Sequence, residues 1–216
     1  MSATRAIGID IGGSRLRAAL VNASGAILER RETMTMAQAG PAAVIAQVVD
    51  LVSQIVPDAE RASLAGAGIA CPGPLDTERG LALGVPTLAG WSNIPIAEMI
   101  GTALAMPVRL ENDGIAAAIG EWKFGAGRGL RHLAYITVST GIGGGVVLDG
   151  RPLHGRMGMA GHVGHMTVQR NGAHCPCGNR GCWEAYASGT AFGQRISRSK
   201  SSFCSVGCPL DRSVKN

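Results

Sequence analysis

His165, Cys175, Cys177 and Cys182 follow one another as His-x9-Cys-x-Cys-x4-Cys, the three cysteines packed into a short stretch rich in glycine and asparagine. Soft thiolates on a tight loop plus one imidazole suit zinc, and four protein ligands close the tetrahedron with no position left open. The expectation is a structural metal; the alternative is ordinary thiols or a disulfide, although Cys175 and Cys177 stand too close to bridge each other comfortably. A different chemistry is offered by Asp113, a carboxylate where a short strand hands over to a helix, and by two glycine-rich tips around Gly12-Gly13-Ser14 and Thr140-Gly141. Backbone N–H groups unshielded by side chains form an anion nest, and the Ser14 and Thr140 hydroxyls add donors. Two such tips point to a phosphate-binding cleft between two lobes, although each alone is only a glycine hairpin. Asn112 or Asp113 also suits a helix cap, an account that suffices when the pair is taken alone.

The elements that must hold these groups are legible in the periodicity. Residues 5 to 11 read as a buried strand, 12 to 13 as a tight turn, 15 to 21 as a returning strand, and a third strand begins near Ile27. Ile45, Val48, Val49, Val52 and Ile55 keep helical spacing between Pro41 and Val56. A strand from Leu64 to Ala70 enters the Cys71-Pro72-Gly73-Pro74 turn, and a helix from Pro95 to Ala105 precedes a short strand, Val108 to Leu110. Ile115 to Lys123 is then a helix, Gly125 to Gly129 a hinge, and Leu133 to Val138 and Val146 to Leu148 the arms of the second hairpin. The expected domains are residues 1–118, an N-terminal α/β lobe, and 119–196, a partial C-terminal α/β lobe with the zinc loop. Residues 197–216 form a tail without hydrophobic periodicity, read as disordered and as the product of a shifted reading frame.

Composition narrows the class. The chain has 216 residues, 46% of them hydrophobic, enough for a core, and its 32 glycines fall in clusters rather than in a low-complexity run. Its net charge of +5 is concentrated after residue 194, where five basic residues face Asp211 alone, so the body is not a basic nucleic-acid surface. With neither a membrane-length apolar run nor a cleavable leader, the expectation is a cytoplasmic protein without nucleic-acid or membrane partners.

Taken in order, Asp10-x-Gly12-Gly13-Ser14, Glu111-Asn112-Asp113-Gly114, Thr140-Gly141-Ile142-Gly143-Gly144-Gly145 and Gly164-His165-x9-Cys175-x-Cys177-Gly178-x2-Gly181-Cys182-x-Glu184 closely resemble the ROK family of sugar kinases and repressors, over about residues 5 to 196. The resemblance implies an α/β, actin-like, ribonuclease-H-like ATPase fold of two lobes, the second incomplete. It implies an ATP-dependent carbohydrate kinase acting on the 6-hydroxyl of a hexose or N-acetylhexosamine. Asp113 would be the general base, and Asp10 would hold Mg2+ through water. Gly12, Gly13, Ser14, Thr140 and Gly141 would contact the ATP phosphates. Asn112, Asp113, His162, His165 and Glu184 would bind the sugar, with zinc fixing the loop that presents it.

Two departures bear on the substrate. Gly161-His162-Val163-Gly164-His165 has an imidazole where glucose-type members carry a glutamate, an exchange that resembles bacterial N-acetylmannosamine kinases and swaps an acceptor-only anion for a ring that can donate. The alternatives are drift or a second potential zinc ligand. Thr87-Leu88-Ala89-Gly90-Trp91 lacks an asparagine usual in glucose-type members, and with it one sugar contact. N-acetylmannosamine is therefore the expected substrate, with glucokinase or N-acetylglucosamine kinase as alternatives. Family kinases run to roughly 300 residues, so the resemblance implies weak ATP binding and impaired catalysis; a non-catalytic sugar-binding or regulatory fragment is the alternative of another class. The start on the first strand, without the repressors' helix-turn-helix, favours kinase over regulator, and a homodimer is expected where the full lobe is present.

Overall fold

The computed structural model describes residues 4–156 and 158–204. Strand β1 (Arg5–Ile11) and strand β2 (Arg15–Asn22) alternate, burying Ile7, Ile9 and Ile11 and then Leu16, Ala18 and Leu20 on one face. Strand β3 (Ile27–Met34) returns along β2 with a bulge at Leu20/Val21. Helix α1 (Pro41–Ile55) starts with proline in its first turn, where the missing N–H costs nothing, and buries Val44, Ile45, Val48, Leu51, Val52 and Ile55. Each such aliphatic side chain contributes roughly 2 kcal/mol on burial. Then follow helix α2 (Asp58–Arg61), strand β4 (Ala67–Cys71), the small hairpin of β5 (Leu75–Asp76) and β6 (Leu81–Ala82), helix α3 (Ile96–Leu104), strand β7 (Val108–Asn112) and helix α4 (Asp113–Phe124).

The main sheet has the order β3-β2-β1-β4-β7. Strand β1 pairs antiparallel with β2 but parallel with β4, and β4 runs parallel to β7. The registers place Asp10 opposite Ala70 and Cys71 opposite Asn112. Asp10, Cys71 and Asn112 therefore all reach the carboxyl ends of three adjacent parallel strands, the edge at which ligands bind in open α/β sheets.

Strand β8 (Leu133–Val138), strand β9 (Ile142–Leu148) and the short β10 (Arg151–Pro152) form a second sheet, ordered β10-β9-β8. A 3-10 turn at Val163–His165, helix α5 (Glu184–Ala187) and helix α6 (Gly189–Cys204) complete the described chain. Two compact units result: residues up to Tyr135 together with Gly144–Gly161, and Ile136–Gly143 together with the residues from His162 onward. The expected boundary at 118/119 falls inside α4, and the chain divides instead across the β8–β9 hairpin, whose tip belongs to the second unit. No helix among the described residues is long and apolar enough to cross a membrane.

Other expectations change, among them the strand expected at Leu64 to Ala70, which is observed at Ala67–Cys71. Strand β9 begins at Ile142, not Val146, so Gly143, Gly144 and Gly145 lie inside a strand. The smallness of Gly144 and Gly145 serves packing: a Cβ on Gly144 would collide with the carbonyl of Tyr135, one on Gly145 would come within 2.6 Å of Gly114 O, and ones on Gly114 and Gly161 would strike Gly144 O. Helix α6 continues through Cys204, so residues 197–204 are helical where a disordered tail is expected; residues 205–216 lie outside the described residues. Strand β7 also runs two residues further than expected, to Asn112.

Candidate active site

In the first unit, the local sequence of β7 and α4 fixes the key pair. Asn112 is 3% exposed, and its Oδ1 accepts the N–H groups of Gly114 at 3.0 Å and Ile115 at 3.2 Å, capping α4. The helix cap expected from sequence is thus Asn112, which leaves the exposed Asp113 as the first residue of the helix, facing the positive end of its dipole. Asp113 Oδ1 also accepts Gly114 N–H at 2.8 Å. One strand away, burial, aided by the negative charges of Asp113 and Asp10, pushes the Cys71 thiol up to about 12. Both carboxylates therefore bear on one buried thiol at the end of β4.

Asp10 Oδ2 accepts a hydrogen bond from Arg17 Nη1 at 2.6 Å, and Arg17 Nε lies 3.4 Å from Glu32. The three residues form one row across β1, β2 and β3, because Asp10 pairs with Arg17 and Arg17 with Glu32 in the registers. The bond to Asp10 raises the Arg17 guanidinium above its ordinary value. Sequence reading passes over Arg17, although counting back from the Gly12-Gly13 turn places it opposite Asp10. At that turn Gly12 N–H is already used, donating to Arg15 O at 3.0 Å, and Thr35 Oγ1 donates to Gly12 O at 2.7 Å. A Cβ on Gly13 would meet Thr87 at 2.7 Å, so the loop around Thr87 packs directly on the turn. The N–H groups of Gly13 and Ser14 find no acceptor among the described residues, and they, not Gly12, are the donors available to an anion.

In the second unit, the hairpin tip is Ser139–Gly141, with Ser139 N–H donating to Gly141 O at 2.8 Å. Thr140 O accepts both the backbone N–H of Thr190 and its hydroxyl, the latter at 2.8 Å, which ties the tip to the start of α6. Glu184 Oε2 accepts the N–H of Ile142 at 2.7 Å, so this carboxylate braces the tip beside Gly141. The rings of His162 and His165 lie 6.3 Å apart and nearly parallel.

His165, Cys175, Cys177 and Cys182 gather as their spacing suggests, their four donor atoms lying within 4.8 Å of one another. A tetrahedron of thiolates about 2.3 Å from zinc has edges of about 3.8 Å. Cys177 Sγ and Cys182 Sγ are 3.7 Å apart, as are Cys175 Sγ and His165 Nδ1, so the donor set fits. The loop holds this shape through Gly178 and Gly181, both at positive φ; a side chain on Gly181 would collide with the carbonyl of Gln169. Asn179 Nδ2 donates to Cys182 Sγ at 3.4 Å and to Thr167 Oγ1 at 3.1 Å, a support of the kind that orients metal ligands. Burial pushes the Cys175 thiol up to about 12, while a backbone hydrogen bond from Asn179 lowers that of Cys177.

A sheet of antiparallel meander and parallel flank, with two carboxylates near its carboxyl edge, has the actin-like, ribonuclease-H-like fold. The chain belongs to the ROK family, whose profile matches residues 6–206. It is 40% identical over 192 residues to a glucokinase of Thermotoga maritima, covering 89% of this chain and 60% of that protein. It is 41% identical over 183 residues to an N-acetylmannosamine kinase of Escherichia coli O157:H7, covering 85% and 61%. The crystal structure of a ROK family glucokinase from Streptomyces griseus in complex with glucose and AMPPNP superposes with a TM-score of 0.79 at 32% identity, covering 93% of this chain and 62% of that one. The chain thus spans about 60% of the length of these relatives.

Proposed function

We propose that the chain is the sugar-binding and phosphate-orienting part of an ATP-dependent carbohydrate kinase. The observation that supports this reading most is Asp113, exposed at the junction of β7 and α4, whose negative charge acts together with that of Asp10 on the Cys71 thiol at the end of β4. Asp113 would take the proton of the sugar 6-hydroxyl as that oxygen attacks the γ-phosphorus of ATP and ADP departs. The N–H groups of Gly13 and Ser14 in the first unit, and those of Thr140 and Gly141 in the second, none of which has an acceptor among the described residues, would bind phosphate oxygens, a role for preorganised donors in stabilising transferred phosphoryl groups. Asp10, one of whose oxygens is engaged by Arg17, would hold Mg2+ through water, and the ion would neutralise phosphate charge. Asn112, His162, His165 and Glu184 would contact the sugar. Zinc on His165, Cys175, Cys177 and Cys182 would brace the loop that presents His165, with no coordination position free for the reaction.

N-acetylmannosamine is the proposed substrate because His162 replaces an acceptor-only carboxylate with a ring able to donate. Relatives of both the glucokinase and the N-acetylmannosamine kinase type match equally well, so the sugar is decided by calorimetric titration of N-acetylmannosamine, N-acetylglucosamine and glucose. Tightest binding of N-acetylmannosamine supports the reading; tightest binding of glucose replaces it with glucokinase. A second reading is a sugar-binding element without catalysis. Thermal stabilisation by sugar without ADP release would establish it.

A further inference from the structure

We propose that His154 is a positioning residue for Asn112 and Asp113, acting through Glu111. The proposal rests on the reading of that pair as the substrate-binding asparagine and the base. His154 follows β10 and lies far from β7 in sequence, yet its Nε2 is 2.7 Å from Glu111 Oε2. A carboxylate can only accept, which makes the imidazole the donor. The other oxygen, Glu111 Oε1, accepts the backbone N–H of Asn112 at 2.9 Å. From Asn112 the chain of hydrogen bonds continues through Oδ1 to the N–H groups of Gly114 and Ile115. Four links therefore connect the imidazole to the first turn of α4, and Asp113 sits inside them.

The mechanical logic follows from where Glu111 stands. Strand β7 is an edge of the main sheet, so no further strand restrains Glu111 from that side. A glutamate holding its neighbour's N–H by one oxygen can still swing about its side-chain torsions; a second bond, on the other oxygen, removes that freedom. His154 supplies it, and at 22% exposure for Glu111 the bond is sheltered enough to matter. The imidazole itself is 42% exposed and lines an open cavity of about 680 Å³ beside Arg79, Glu78, Glu98 and Arg109, so it is not a core prop whose removal would unfold the sheet.

The test compares wild type with His154→Ala and His154→Gln, the latter keeping a donor. Amide hydrogen exchange of Asn112, Gly114 and Ile115 is expected to speed up on the order of fivefold in H154A and to recover in H154Q, with the amides of β1 unchanged. The sugar dissociation constant should rise by a similar factor in H154A and recover likewise. Unchanged exchange at the three amides in H154A overturns the proposal, as does faster exchange throughout the sheet without rescue, which would mark a structural prop. Equal sugar affinity in wild type and H154A also overturns it. Because the exchange arm needs no sugar, a wild type that binds none refutes the proposed function while the exchange result still decides whether His154 positions Asn112.

Discussion

Asp113 combines exposure with a fixed backbone, since Asn112, not Asp113, carries the main burden of capping α4. Asp113→Asn should therefore abolish sugar-dependent ADP release, leaving the melting temperature and zinc content unchanged; retained turnover would remove Asp113 from the role of base. At the metal loop the sign of the pH dependence can be worked out. Burial keeps a proton on Cys175 up to about 12, and zinc binds only the thiolate, so loading must displace that proton. Zinc affinity should then rise with pH, by about tenfold per pH unit for each proton displaced, in competition titrations between about pH 6 and about pH 8. A flat profile would mean that the thiols do not bind the metal. The Asp10–Arg17 pair shows what was legible at this scale: both residues lie on a hairpin whose turn could be read, so their register follows by counting. The bond between Glu111 and His154 follows from no local signal, because the residues meet only through the tertiary path of the loop after β10.

The elements are legible in the sequence wherever burial imposes a period, as in β1, β2 and α1, whose buried residues recur at two or at three to four. They are obscured where glycine replaces side chains. The start of β9 resembles a glycine-rich tip because Gly143, Gly144 and Gly145 have no apolar signature, and the place of Gly144 and Gly145 in a strand depends on how closely α4 and Gly161 approach. That close approach predicts that Gly144→Ala unfolds or loosens the first unit, with a loss of roughly 3 kcal/mol or more in denaturant titration. Ala105, which ends α3 in the left-handed region at φ 52°, offers the opposite effect. Ala105→Gly should raise stability by about 1 kcal/mol, since glycine meets no steric cost there. In the zinc loop, Gly181→Ala should lower both zinc content and melting temperature, whereas a chelator applied to wild type should lower the melting temperature without any change in sequence.

Across the whole molecule, the family match spans both units, the first with its carboxylate edge and the second with its zinc-type donor set. The motifs were legible because each needs particular residue types at fixed spacing; the division into units was not, since the chain leaves the first unit within β8 and returns within β9 with no composition change to mark it. The account is tested most directly by measuring ADP release from ATP across a panel of hexoses and N-acetylhexosamines, for wild type and Asp113→Asn in parallel. The prediction is release that depends on sugar, is fastest with N-acetylmannosamine and disappears in the variant. Release independent of sugar, or equal in the two proteins, would contradict it.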